Sequence, residues 1–202
     1  MDRLRESPRP PLSRASLVVG LYGAMAIGAL MLASGRGDPD LYRLVEDRDA
    51  RWLLLSPAAG LLLGLGFVGL TRVAVVRFTW AQGLQRSFHD LLGPLATRDI
   101  FILAAASAIG EELLFRGALL PWLGMLPQAG LFALLHIGPG RRFVPWTVSA
   151  LGMGLAFGVL TSSTGNLGGA IVAHFTINFL NLRFIVATPG GRGESYLARR
   201  LR

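Results

Sequence analysis

The chain has 202 residues, 52% of them hydrophobic and only 16% charged, with a mean hydropathy of +0.50, a balance too apolar for a soluble globular domain. At about 20 residues per helical crossing, this length holds roughly six or seven crossings and excludes a large soluble catalytic domain. Cysteine is absent and all 20 basic residues are Arg, so thiolate metal sites, Cys nucleophiles and lysine mechanisms are excluded together. The net charge of +8 is scattered between apolar stretches rather than gathered on the single basic face that a nucleic-acid partner requires.

In chain order, a basic segment (residues 1–14) precedes the uncharged run Ala15 to Ser34, which predicts a retained first transmembrane helix. Residues 35–51 mix four Arg with Asp38, Asp40, Glu46, Asp47 and Asp49, predicting a solvated connection. Trp52 to Thr71 is a second uncharged run, with Gly60 and Gly64 in the spacing that lets helices approach closely. From residue 73 to 92 charged and aromatic residues alternate, predicting an amphipathic helix in the interface. Four further apolar stretches follow, Ile100 to Leu120, Trp122 to Ile137, Phe143 to Ser163 and Leu167 to Ala187. Pro121 and Pro127 mark a break, and Gly138 to Arg142 and Thr164 to Asn166 mark loops.

The expected fold is therefore all-α: a polytopic helical membrane protein of about six transmembrane helices plus an interfacial amphipathic helix. Two N-terminal helices and the interfacial segment occupy 15–99, a core of about four membrane helices occupies 100–187, and 188–202 is a Gly/Arg-rich tail. The Arg distribution places both termini in the cytoplasm. The all-Arg, Gly- and Ala-rich composition suits a bacterial inner membrane.

Ionisable side chains inside such stretches cost about 2.5–3.5 kcal/mol when charged at the bilayer centre, so they face a polar interior and carry a task. Glu111, Glu112 and Arg116 lie within Ile100 to Leu120. Glu112 and Arg116, four apart, share a helical face and can pair, whereas Glu111 points about 100° away and is left for other work. His136 closes the stretch beginning at Phe132, and His174 precedes Asn178 by one helical turn. A carboxylate and an imidazole flanking one water form a general-base arrangement, and a second imidazole with an amide supplies donors for an oxyanion. The chemistry is hydrolysis of an amide in or at the edge of the bilayer. A non-catalytic polar cluster in a membrane immunity or binding protein, and a small transporter or proton relay, are the alternatives.

The three motifs Glu111-Glu112-Leu113-Leu114-Phe115-Arg116, Phe132-Ala133-Leu134-Leu135-His136 and His174-Phe175-Thr176-Ile177-Asn178 resemble, in content and order, those of the CAAX protease and bacteriocin-processing (CPBP, Abi) family of intramembrane endopeptidases, which includes the Ras-converting type. The resemblance covers about Ile100 to Arg183. It implies a glutamate-type protease in which Glu111 activates water with His136, and His174 with Asn178 stabilises the oxyanion. Glu112, Arg116 and Phe132 then support the site. The substrate is expected to be a membrane-anchored protein or peptide. No cofactor is expected, with zinc on Glu111, His136 and His174 as the alternative.

Overall fold

The computed structural model describes residues 14–38 and 40–188. The remainder of the basic N-terminal segment and the Gly/Arg tail past residue 188 lie outside the described residues. Helix α1 (Arg14–Arg36) is followed by a loop, α2 (Trp52–Arg77) and α3 (Thr79–Leu92). Helix α4 (Thr97–Glu112) runs without interruption into a π-helical segment (Leu113–Leu119) and a closing turn, α5 (Leu120–Leu123). Helices α6 (Met125–Leu135), α7 (Val144–Thr164) and α8 (Gly168–Ala187) complete the described chain. It is an all-α polytopic membrane protein; the one extended pairing among the described residues is an isolated bridge between Arg43 and Asn166.

Four helices, α1, α2, α7 and α8, are long and apolar enough to cross a membrane, and a fifth span arises if α3 is joined to α4–α5 across their 106° bend. The six apolar stretches of the sequence all form helices, but the fourth falls short of the span expected of Trp122 to Ile137. Helix α6 has 11 residues, about 16 Å against a hydrocarbon core of about 30 Å. Its start is set by Gly124, whose φ of +84° breaks the helix after α5, and it ends at His136. The interfacial helix is also shorter than 73–92, because α2 carries its apolar run to Arg77 before the chain turns at Phe78.

Cross-helix contacts fix the direction of each pass. Tyr22 meets Gly110, and Arg36 donates to the Ala118 carbonyl at 2.6 Å, so α1 and α4–α5 are parallel. Gly60 meets Gly169 and Arg72 donates to Asn181 at 2.9 Å, so α2 and α8 are parallel too. Gly154 against Ala129 and Gly158 against Met125 make α6 and α7 antiparallel. The described residues thus run back and forth six times, the fourth pass being helical only in part.

Small residues bring the passes together. A Cβ on Gly60 would stand 2.0 Å from the Gly169 carbonyl oxygen, and one on Gly64 would stand 2.9 Å from that of Ala173. Without a hydrophobic difference between helix and lipid, such backbone approach and its dispersion contacts hold helices together. At the near end of this seam Ser56 shares a 2.9 Å hydrogen bond with Thr164 and accepts the Gly169 N–H at 2.9 Å.

The loop at 37–51 is more than a solvated connection. Leu41 is buried, the Leu44 and Val45 amides donate to the Gly165 carbonyl, and Leu167 donates back to Tyr42. The α7–α8 turn has spare backbone acceptors because Gly165 sits in the left-handed region at φ +72°, and the loop satisfies them.

Replacing Gly60 by Ala is expected to lower stability by about 1–3 kcal/mol through overpacking on rigid backbone. Gly66→Ala on the same helix, where a Cβ meets nothing within 4 Å, is expected to leave it unchanged or raised. Unfolding midpoints of the two variants in detergent check this.

Candidate active site

The site is built where α4, α6 and α8 meet beneath α1 and α7. Its foundation is Glu112, whose side chain has 0% exposure. Its Oε1 accepts from Arg116 Nη1 at 2.9 Å and from His174 Nδ1 at 2.7 Å. Arg116 is equally buried, and its Nη2 donates to the Gly154 carbonyl at 3.3 Å. Its guanidinium lies 4.4 Å from the Phe132 ring centroid and 5.2 Å from that of Phe157, so aromatic faces supply what water would otherwise give the cation. The expected Glu112–Arg116 pair is thus present, although the chain between them has already entered the π-helical segment. Wide turns of this kind concentrate at functional sites.

Glu111, the adjacent carboxylate, faces elsewhere. Its Oε2 is buried and makes no hydrogen bond within the protein. It stands 3.8 Å from His136 Nε2 and 4.0 Å from His174 Nε2. In both imidazoles the other nitrogen is already committed. His136 Nδ1 is 2.7 Å from the Phe132 carbonyl oxygen, and His174 Nδ1 is 2.7 Å from Glu112. A nitrogen facing an acceptor carries the hydrogen, so in neutral rings the Nε2 lone pairs are turned toward Glu111.

Phe132 supports in two ways, since its carbonyl orients His136 while its ring, 4.4 Å from the His136 centroid, lies between that imidazole and Arg116. Trp146 closes the far side of His136 at 5.1 Å. Asn178, one turn beyond His174, donates to Ser107 Oγ at 3.0 Å. Its contact is therefore with the turn of α4 preceding Glu111 rather than with the histidines. Among the described residues, no three His, Asp or Glu side chains are disposed to hold a metal ion.

Two contributors were not singled out from the sequence. The hydroxyl of Tyr22 on α1 lies beside the Glu111 carboxylate and interacts with it electrostatically, and Gly110, where a Cβ would lie 2.7 Å from the Tyr22 carbonyl oxygen, lets α1 come that close. Tyr22 is the one polar-tipped side chain between Leu17 and Ala33, which is the signal that points to it. Gln128 on α6 is fully buried and donates to the Gly154 carbonyl at 3.1 Å, beside Arg116.

Fold and site together define a helical membrane protein with a carboxylate and two imidazoles turned on one another in its interior. Residues 94–180 match the family described as Type II CAAX prenyl endopeptidase Rce1-like, a similarity that covers less than half of the chain. The match takes in all three motifs. No curated protein and no solved structure matches the chain.

Removing one partner of a buried ion pair strands the other, at a cost of about 3–5 kcal/mol, whereas replacing both by apolar groups is often neutral. Glu112→Leu is therefore expected to unfold the protein or prevent its accumulation, and Glu112→Leu combined with Arg116→Met is expected to recover most of the loss. Folded yield and thermal midpoint of single and double variants check it.

Proposed function

We propose that the protein is a glutamate-type intramembrane endopeptidase that cleaves a membrane-anchored protein or peptide. The observation that carries this reading is the buried Glu111 Oε2, free of protein hydrogen bonds and faced by two imidazole Nε2 atoms at 3.8 and 4.0 Å. One water fits between such groups at ordinary hydrogen-bond lengths of about 2.8 Å. A tetrahedral zinc with bonds of about 2.0–2.1 Å would set the same donor atoms roughly 3.3 Å apart, and a tetrahedral water roughly 4.6 Å apart. The observed spacings lie between, and we propose the metal-free form, which the response to a chelator tests.

In the proposed reaction Glu111, oriented by Tyr22, takes a proton from that water while His136 accepts its second hydrogen in a hydrogen bond. The water oxygen bonds to the scissile carbonyl carbon, whose oxygen becomes the oxyanion. His174 serves as oxyanion donor only with a proton on Nε2, and since Nδ1 already donates to Glu112 this form is the imidazolium. Glu112 and the developing oxyanion together balance Arg116 and this imidazolium. Asn178 has a second amide hydrogen beyond the one given to Ser107, and this also reaches toward the oxyanion. Collapse of the tetrahedral species breaks the C–N bond, and the proton held by Glu111 passes to the leaving amine.

We further propose that both termini are cytoplasmic. The side holding the start of α1 and the end of α8 also holds Arg77, Arg86, Arg98, Arg141 and Arg142 against Asp90 and Asp99. The opposite loop at 36–51 sets four Arg against five acids. Short cytoplasmic loops carry that excess of Arg. A bacterial inner membrane is the setting that the all-Arg composition favours.

Cleavage of a membrane-embedded reporter by the protein in lipid tests the activity. Glu111→Gln and His174→Ala are expected to lower the rate by at least about a thousandfold while the protein stays folded, and a chelator is expected to change nothing. Cleavage that survives Glu111→Gln would overturn the glutamate assignment, and cleavage abolished by the chelator and restored by zinc would overturn the metal-free one. Tyr22→Phe removes the hydroxyl beside Glu111 and is expected to cost about ten- to a hundredfold in kcat, with KM little changed.

A further inference from the structure

Away from the site, α3 and the segment from Arg141 to Pro145 enclose a cavity of about 500 Å³. Arg86, Arg141 and Arg142 line it together with Thr79 and Trp80. All three guanidiniums are exposed, and none forms an ion pair among the described residues. The single acid in the wall is Asp90, which lies 3.5 Å from His89 and has a side chain 77% exposed. Three cations facing one carboxylate leave the cavity positive, and guanidinium forks match phosphate oxygens in both charge and geometry.

The cavity's place in the fold narrows the source of such an anion. Helix α3 meets α4 at 106°, so it lies across the ends of the spans rather than along them. Thr79, Gly83, Arg86 and Asp90 share one face of it, turned away from Ala81, Phe88 and Leu92. At its start Phe78 and Trp80 stack at 6.0 Å, each half exposed, as aromatic residues do at headgroup level. The Arg141–Arg142 pair is held in position because Phe143 is buried against Gly138, where a Cβ would stand 2.4 Å from its ring. Phe143, Phe88 and Trp146 form a layer of ring contacts at 5.1 and 5.2 Å between the cavity and His136.

We propose that this cavity binds the phosphate of an anionic phospholipid headgroup from the surrounding leaflet. The phosphodiester sits among Arg86, Arg141 and Arg142, and its acyl chains run down the exposed apolar flank of the neighbouring helices. The aromatic layer keeps this ligand out of the reacting centre, and the site does not depend on the reaction proposed for Glu111.

Native mass spectrometry of the full-length protein in detergent, titrated with phosphatidylglycerol and separately with phosphatidylcholine, tests this directly. Each interfacial Arg contributes about a factor of five toward anionic lipid. The triple variant Arg86→Gln, Arg141→Gln, Arg142→Gln is therefore expected to lose about a hundredfold in phosphatidylglycerol affinity, with phosphatidylcholine unaffected. Arg77→Gln, Arg98→Gln, Arg183→Gln removes equal charge outside the cavity and is expected to lose less than about twofold; the single Arg86→Gln gives a graded loss should the triple variant fold poorly. Equal losses in the two triple variants, or no preference of the native protein for the anionic lipid, would overturn the proposal. Displacement of phosphatidylglycerol by millimolar inorganic phosphate would overturn the lipid source and leave a soluble-phosphate site.

Discussion

One carboxylate oxygen, Oε1 of Glu112, accepts both from Arg116 and from His174, and the interior of the protein is arranged around that shared acceptor. Two opposite charges without water are tolerable only when both are neutralised and hydrogen-bonded. The Gly154 carbonyl, which takes donors from Arg116 and Gln128 together, and the Phe132 and Phe157 rings around the guanidinium meet part of that demand. The consequence reaches three helices: α4 with its π-helical continuation, α8 through His174, and α7 through Gly154. The same oxygen also decides which nitrogen of His174 carries hydrogen, and so what His174 presents to Glu111. One buried oxygen thus fixes both the packing of the interior and the tautomer of a histidine that faces Glu111.

The separation of tasks between Glu111 and Glu112 follows from helix geometry alone. Adjacent residues on a helix diverge by about 100°, so one carboxylate turns to the Arg116 and His174 donors while its neighbour looks across to His136. This much was legible in the sequence, because ionisable residues in apolar stretches are few and their spacings are simple. The close approach at Gly60 and Gly64 was legible for the same reason. Other features turn on long-range fit, which no local pattern records. The π-helical segment has the composition of any apolar helix, Leu113 to Leu119. Helix α6 looks long enough to span until Gly124 takes a positive φ and His136 is drawn into its bond with Phe132. The loop at 37–51 reads as solvated by its charges, yet it covers the α7–α8 turn with its backbone. Tyr22 joins the site from a helix more than eighty residues away in sequence from Glu111. Asn178 shares a helical face with His174 as its spacing requires, but its first partner is Ser107, a small residue that sequence spacing does not single out.

Charge divides the molecule by side as well as by depth. The loop at 36–51 is close to neutral and well packed on Gly165, while the opposite end carries Arg86 of α3 with Arg141 and Arg142, which form no ion pair among the described residues. His136 lies toward that second end, one ring from Trp146. The imidazole of His136 is therefore nearest the exposed face on the basic side of the molecule.

Helix α6 exposes Leu126, Leu131, Leu134 and Leu135 yet is only half as tall as its neighbours. Lipid in contact with it meets a hydrophobic wall about 16 Å high beside walls about twice that height. A bilayer answers such a mismatch by thinning or tilting its chains, at a cost of fractions of a kcal/mol for each ångström. The depth of hydrocarbon over His136 is thus a joint property of protein and lipid. Acyl-chain length sets how near the aqueous phase comes to Glu111, which makes membrane thickness itself a control on how readily water reaches that carboxylate.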